Sequence, residues 1–198
     1  MTLTSKTTAY SSLPWCDSAY NPKCLTYRGL FQNTNGVGPT GWNENPRATL
    51  FDDSSWTQPV AASTNEAYYW LPASTLAAEW TAVNTTGLAF ENYTFFRQAF
   101  CTPLNASNLT ASLSLASDDI STVYLNGIGV GQHTGAGGYS TLDAGAGIQS
   151  GINILAVRLL NNSHGGHPFP TCPGCDHSGL LFNLQASYSS LRPFAYGP

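Results

Sequence analysis

Between Phe95 and Asn161, apolar and polar positions alternate in short runs broken by turn residues. Leu113 and Leu115 alternate with Ser112, Ser114 and Ala116, a period of two that predicts a strand with one buried face. Val123, Tyr124 and Leu125 run into Asn126-Gly127, a dipeptide that favours the positive φ angles of a tight hairpin turn. A Gly-rich connection follows from Gly127 to Gly138, and Gly151-Ile152-Asn153 opens an apolar strand from Ile154 to Leu160. Residues 179–188 supply a closing strand, Leu180, Phe182 and Leu184 alternating with Leu181, Asn183 and Gln185. The pattern predicts four or five short strands within 95–161 and an all-β protein.

The flanks are less regular. Residues 1–46 mix Ser, Thr, Pro, Gly and aromatics with little periodicity, and read as an N-terminal arm or added edge segment. Cys16 and Cys24 bracket a short loop with Asn21-Pro22 as its turn signal, a spacing that suits a local disulfide. Residues 60–93 carry Tyr68, Tyr69, Trp70, Trp80 and Phe90 among small polar residues, and are expected to form a long excursion with one or two strands. Residues 162–178 form a second excursion, and residues 189–198 an exposed C-terminal tail.

Several of these segments together resemble the galactose-binding-like jelly roll, the non-catalytic sugar-binding domain attached to many glycoside hydrolases of the β-galactosidase type. The resemblance is carried by Phe96-Arg97 with Phe100, Asp118-Asp119, Val123 to Gly127, Val130-Gly131, Gly137 to Tyr139, Asp143, and Gly151 to Val157. Upstream, Phe51 to Trp56 matches the family's first motif; downstream, Gly179 to Phe182 matches its last strand. The likeness spans roughly residues 47–188. It implies a jelly-roll β-sandwich of two antiparallel sheets that binds and positions rather than reacts. Domains of this type often hold a structural calcium, for which Asp52, Asp53, Asp118, Asp119 and Asp143 are the oxygen donors at hand. No cofactor is required.

Composition narrows the function. The chain has 198 residues, room for one sandwich with a full core. Only 9% of them are charged, against about 25% in an average soluble domain. A net charge of −4 with seven Lys and Arg argues against a nucleic-acid partner, which needs a clustered basic surface. No apolar run approaches the roughly eighteen residues that would cross a bilayer, so no membrane insertion is expected. The first residues show no apolar core of a secretory signal, while N-glycosylation acceptors occur at Asn84, Asn92, Asn105, Asn108 and Asn161. An extracellular or surface-exposed glycoprotein is the expectation.

Candidate chemistry falls in three groups. His164, His167, Cys172, Cys175 and His177 offer enough borderline and soft ligands for zinc, although their spacing matches no known finger. Disulfides offer the favoured alternative: Cys172 or Cys175 could bridge to Cys101 or to each other, and five cysteines leave one over. Asp118-Asp119 invites a catalytic reading, but adjacent strand residues point to opposite faces and do not flank one glycosidic bond. For sugar binding, which needs an aromatic platform beside polar groups, the candidates in or near loops are Trp42, Trp70, Arg97, Asn126, His133 and Tyr139. Trp56 and Trp80 read as core, and Arg97 has a structural alternative as a paired strand arginine.

There is no G-x-S-x-G elbow, Walker loop or dinucleotide fingerprint, so no enzyme activity is expected. Two functions of different class follow. The first is an extracellular carbohydrate-binding or adhesion module with glycan or glycoprotein partners. The second is a structural subunit of a filament, sheath, cell wall or virion surface, a homo-oligomer assembled through the N-terminal arm.

Overall fold

The computed structural model describes residues 2–4, 28–33, 35–44, 51, 55–57, 60–61, 73–76, 81–82, 93–104, 106–135, 137–161, 179–188 and 190–191. Their strands, in chain order, are β1 (Thr2–Thr4), β2 (Arg28–Asn33), β3 (Val60–Ala61), β4 (Thr81–Ala82), β5 (Tyr93–Thr102), β6 (Ala106–Ser107) and β7 (Thr110–Asp118). They continue with β8 (Ile120–Leu125), β9 (Ile128–Thr134), β10 (Ser140–Asp143), β11 (Gly151–Leu160), β12 (Gly179–Ser187) and β13 (Ser190–Leu191). One 3₁₀ turn, Ala73–Leu76, is the helical element among the described residues.

Two antiparallel sheets face each other, as the all-β sandwich requires. One runs β10-β7-β12-β4-β3 with β1 also paired to β12; the other runs β2-β5-β11-β8-β9. From β7 onward the chain crosses between sheets at most steps, so hydrophobic residues from both line one interior. The alternation read from the sequence is present: in β7 Leu113 and Leu115 point inward, and in β8 Ser121, Val123 and Leu125 do. They meet Phe96, Val157, Leu159 and Leu184 in the main core.

Strands β5 and β11 are buried almost throughout rather than on alternate residues. The five-stranded sheet is covered on both faces there, which removes the polar half of the alternation. Its outer cover is a second cluster in which Trp42 and Trp56 lie on Phe95, Ile154 and Ala156, with Phe51, Tyr93 and Tyr124 packed around them. Residues on both sides of position 46 therefore build one sandwich. The segment read as an arm supplies β2, an edge strand paired to β5, and β1, paired to β12. Within 60–93, where one or two strands are expected, lie β3 and β4, which pair with each other and extend the sheet from β12. The first residues of the tail, β13, pair with β6.

Candidate functional site

The Asn126-Gly127 turn forms as its chemistry requires: φ is 52° at Asn126 and 85° at Gly127, and Leu125 pairs with Ile128 across it. The Asn126 side chain is turned into the protein. Its amide nitrogen donates to the Gly147 carbonyl and to Asn153 Oδ1, both at 2.8 Å, and its oxygen accepts from the Ile154 amide at 2.8 Å. Asn153 is fully buried; it accepts from the Gln149 amide and donates to the Gln149 and Gly151 carbonyls, each at 2.9 Å. This pair pins the 144–150 loop to the hairpin. Both amide hydrogens of Asn126 and its oxygen are engaged in holding the fold, which corrects its assignment as a binding residue.

Trp42 and Arg97 are corrected in the same way. Trp42 is buried, edge-on to Phe95 with centroids 5.0 Å apart and to Tyr124 at 5.8 Å. Arg97, also buried, donates through Nε to the Trp42 carbonyl at 2.9 Å and stacks 5.2 Å over the Phe51 ring. Phe51 and Trp42 enclose the guanidinium, so neither residue offers a surface to a glycan. His133 is buried on the inner face of β9; its Nε2 bonds the Gly135 carbonyl at 2.6 Å and its Nδ1 the Ser140 hydroxyl at 2.9 Å. Because a carbonyl only accepts, Nε2 is the donor in that bond. Both nitrogens are engaged, so His133 too is structural. Tyr139 is half exposed in the β9–β10 loop, as an accessible platform requires. Trp70 lies outside the described residues.

Among the described residues, Asp118 and Asp119 do not converge with Asp143. Asp118 and Asp119 stand at the end of β7, joined by a cis peptide, and the Asp119 carbonyl accepts from the Gly135 amide at 2.9 Å. Asp143 pairs with Ser112 near the start of β7, roughly 20 Å away at strand rise, and its Oδ1 accepts from the Gly145 amide at 2.8 Å. Among the described residues no three His, Cys, Asp or Glu gather to hold a metal. Asp52, Asp53, His164, His167, Cys172, Cys175 and His177 lie outside them, as do Cys16, Cys24, Asn84, Asn92 and Asn105. Cys101 is buried and disulfide-bonded. Of the described glycosylation acceptors, Asn108 is exposed whereas Asn161 is 1% exposed, and a glycan on a side chain so enclosed has no exit.

One polar site escaped the sequence reading. Among the outward residues of β11, Ile154 and Ala156 are buried in the Trp42 cluster, whereas Arg158 is half-buried at its margin. Strand register sets Arg158 beside Thr122 on β8, and Thr122 beside Gln132 on β9, in one row across the outer face. Gln132 donates to the Thr122 hydroxyl oxygen at 3.3 Å, and Arg158 Nη2 to the same oxygen at 3.4 Å. Arg158 Nη1 reaches the Gly36 carbonyl at 3.4 Å, and its Cζ lies 5.8 Å from the centre of the Tyr93 ring. Tyr93 and Tyr124, both half-buried, flank the row on either side. Gln132 is exposed; Thr122 and Arg158 are half-buried. Two tyrosine rings, a hydroxyl, an amide and a guanidinium thus lie together at the margin of the Trp42 cluster, Gln132 exposed and the others half-buried.

No helix among the described residues is long and apolar enough to cross a membrane. No family model matches the chain, and no curated protein matches it. Solved structures with a similar fold are glycoside hydrolases. A glycosyl hydrolase family 2 member from Bacteroides cellulosilyticus is 16% identical over 81% of this chain and 20% of its own, with a TM-score of 0.49. A β-glycosidase from Bacteroides vulgatus is 16% identical over 81% of this chain and 19% of its own, with a TM-score of 0.47. An α-L-rhamnosidase from Aspergillus terreus is 22% identical over 56% of this chain and 14% of its own, with a TM-score of 0.42. This chain therefore spans a fifth or less of those enzymes. At such identities and scores the likeness adds nothing to what the strands themselves show.

Proposed function

We propose that the chain is a non-catalytic carbohydrate-binding or adhesion module whose ligand lies on the outer face of the five-stranded sheet, between Tyr93 and Tyr124. The observation that carries this reading is the Arg158–Thr122–Gln132 row at the margin of the Trp42 cluster, ending in an exposed Gln132. Tyrosine rings favour the apolar face of a pyranose, while the hydroxyl and amide match its hydroxyl groups. The jelly-roll motifs resembled in the sequence point to the same class of function. Low charge and the exposed Asn108 acceptor support an extracellular or surface setting.

A glycan array followed by calorimetry, with and without calcium, tests the reading: saturable binding of a glycan is expected, and no binding to any sugar removes it. The rival structural-subunit reading draws less support, because β1 and β2 pair within their own chain. Size-exclusion chromatography of the full chain is expected to give a monomer.

A further inference from the structure

Resting on the carbohydrate reading above, we infer that the outer-face site takes an acidic sugar, a hexuronic acid residue, with Arg158 as the partner of its carboxylate. The chain carries eleven Asp and Glu against seven Lys and Arg, yet Arg158 meets no carboxylate among the described residues. A half-buried cation in a chain so poor in charge is costly to leave without an anion. Its two hydrogen bonds, both 3.4 Å long, lie beyond the usual 2.7–3.2 Å range, so most of the five-donor fork is uncommitted. The planar fork matches both oxygens of a carboxylate at once.

The guanidinium is also held ready. Tyr93 stacks on it, and that ring sits so close to Gly36 that a Cβ there would lie 2.7 Å from the ring. Gly36 in turn offers its carbonyl to Nη1. A cation already fixed in place loses little freedom on binding. Thr122 has its hydroxyl proton, and Gln132 its amide oxygen, uncommitted among the described residues, and these suit the hydroxyls of the same sugar ring. A neutral hexose would satisfy those two groups but leave Arg158 as it was. The carboxylate is what distinguishes the ligand this row fits.

Galacturonate and galactose differ only at C6, carboxylate against hydroxymethyl, and so isolate the claim. The test is an amide-resolved NMR titration of the full ¹⁵N-labelled chain with galacturonate, galactose and acetate, for the unchanged protein and for Arg158→Gln and Gln132→Ala. Galacturonate is expected to shift Thr122, Gln132 and Arg158 saturably, about tenfold or more tighter than galactose or acetate, the strength of a charge-assisted contact. Arg158→Gln should remove that preference and leave galactose binding as it was. If Arg158→Gln does not fold, as its spectrum would show, exposed Gln132→Ala serves instead and should weaken both sugars while keeping their ratio. Equal binding of galacturonate and galactose at these resonances overturns the inference and leaves the carbohydrate reading standing. Acetate as tight as galacturonate also overturns it, by making the site a bare anion site. No shift with either sugar overturns both.

Discussion

The side-chain amide of Asn126 donates to Asn153 Oδ1 at 2.8 Å, joining the β8–β9 turn to the start of β11 across 27 residues of chain. Around this bond a hairpin turn, the 144–150 loop and a buried strand end exchange hydrogen bonds with little room for substitution. Asn153→Ala removes the acceptor of the Gln149 amide and of one Asn126 amide hydrogen, and takes a donor from the Gln149 and Gly151 carbonyls. Buried groups left unpaired cost about 1–3 kcal/mol each when water cannot reach them, so a loss of about 2–4 kcal/mol is expected. That lowers Tm by roughly 5–15 °C for a chain of this size. The Asn126→Ala/Asn153→Ala double variant should lose less than the sum of the singles, because the two side chains act as one unit. Thermal unfolding followed by circular dichroism checks both expectations.

Trp42 is the keystone of the outer cover. Trp42→Ala removes the edge contacts to Phe95 and Tyr124 and unseats the carbonyl that holds Arg97. Truncating a buried tryptophan costs about 3–5 kcal/mol. Denaturant unfolding should show a lower midpoint with an unchanged slope, the mark of lost stability rather than a changed unfolded state.

Gly36 has φ of +68°, and a Cβ on it would meet the Tyr93 ring. Gly36→Ala therefore carries backbone strain and displaces the ring that braces Arg158. A destabilisation of about 1–3 kcal/mol is expected. The Tyr93 ring resonances should move, and affinity for the glycan found on the array should fall with them.

Asn108 is exposed at φ of 50°, and Asn161 is enclosed at the end of β11. Expressed through a eukaryotic secretory pathway, the chain should carry glycan at Asn108 and none at Asn161. Peptide mapping by mass spectrometry reads the occupancy of each. Glycan at Asn161 would mean that this end of the sandwich opens before it closes over the side chain.

Much of this fold is legible in the sequence because it rests on local rules. The alternation at Leu113 and Leu115, the Asn126-Gly127 turn and the apolar run into β11 all appear where the period of two and the turn chemistry set them. The site was harder to read because it depends on what covers what. Trp42 stands in a loop rich in glycine and proline, which suggested exposure. The same small residues let its ring pack against β5 and β11, and a Cβ on Gly38 would come 2.3 Å from its indole nitrogen. Arg97 and Arg158 both point to the outer face; only the first falls under that cover. The outward direction of Arg158 follows from the inward Val157 and Leu159 on either side of it. How far it is covered is set by a segment more than a hundred residues earlier, which brings the Gly36 carbonyl to it.

The central claim, a glycan held on the outer sheet face, is tested most directly by hydroxyl-radical footprinting of the chain at a saturating concentration of the glycan found on the array. Oxidation of Tyr93 and Tyr124 should fall on binding, while Tyr139 in the β9–β10 loop stays as reactive as in the free protein. Protection confined to Tyr139, with Tyr93 and Tyr124 unchanged, would contradict the account and move the ligand to the loop edge of the sandwich.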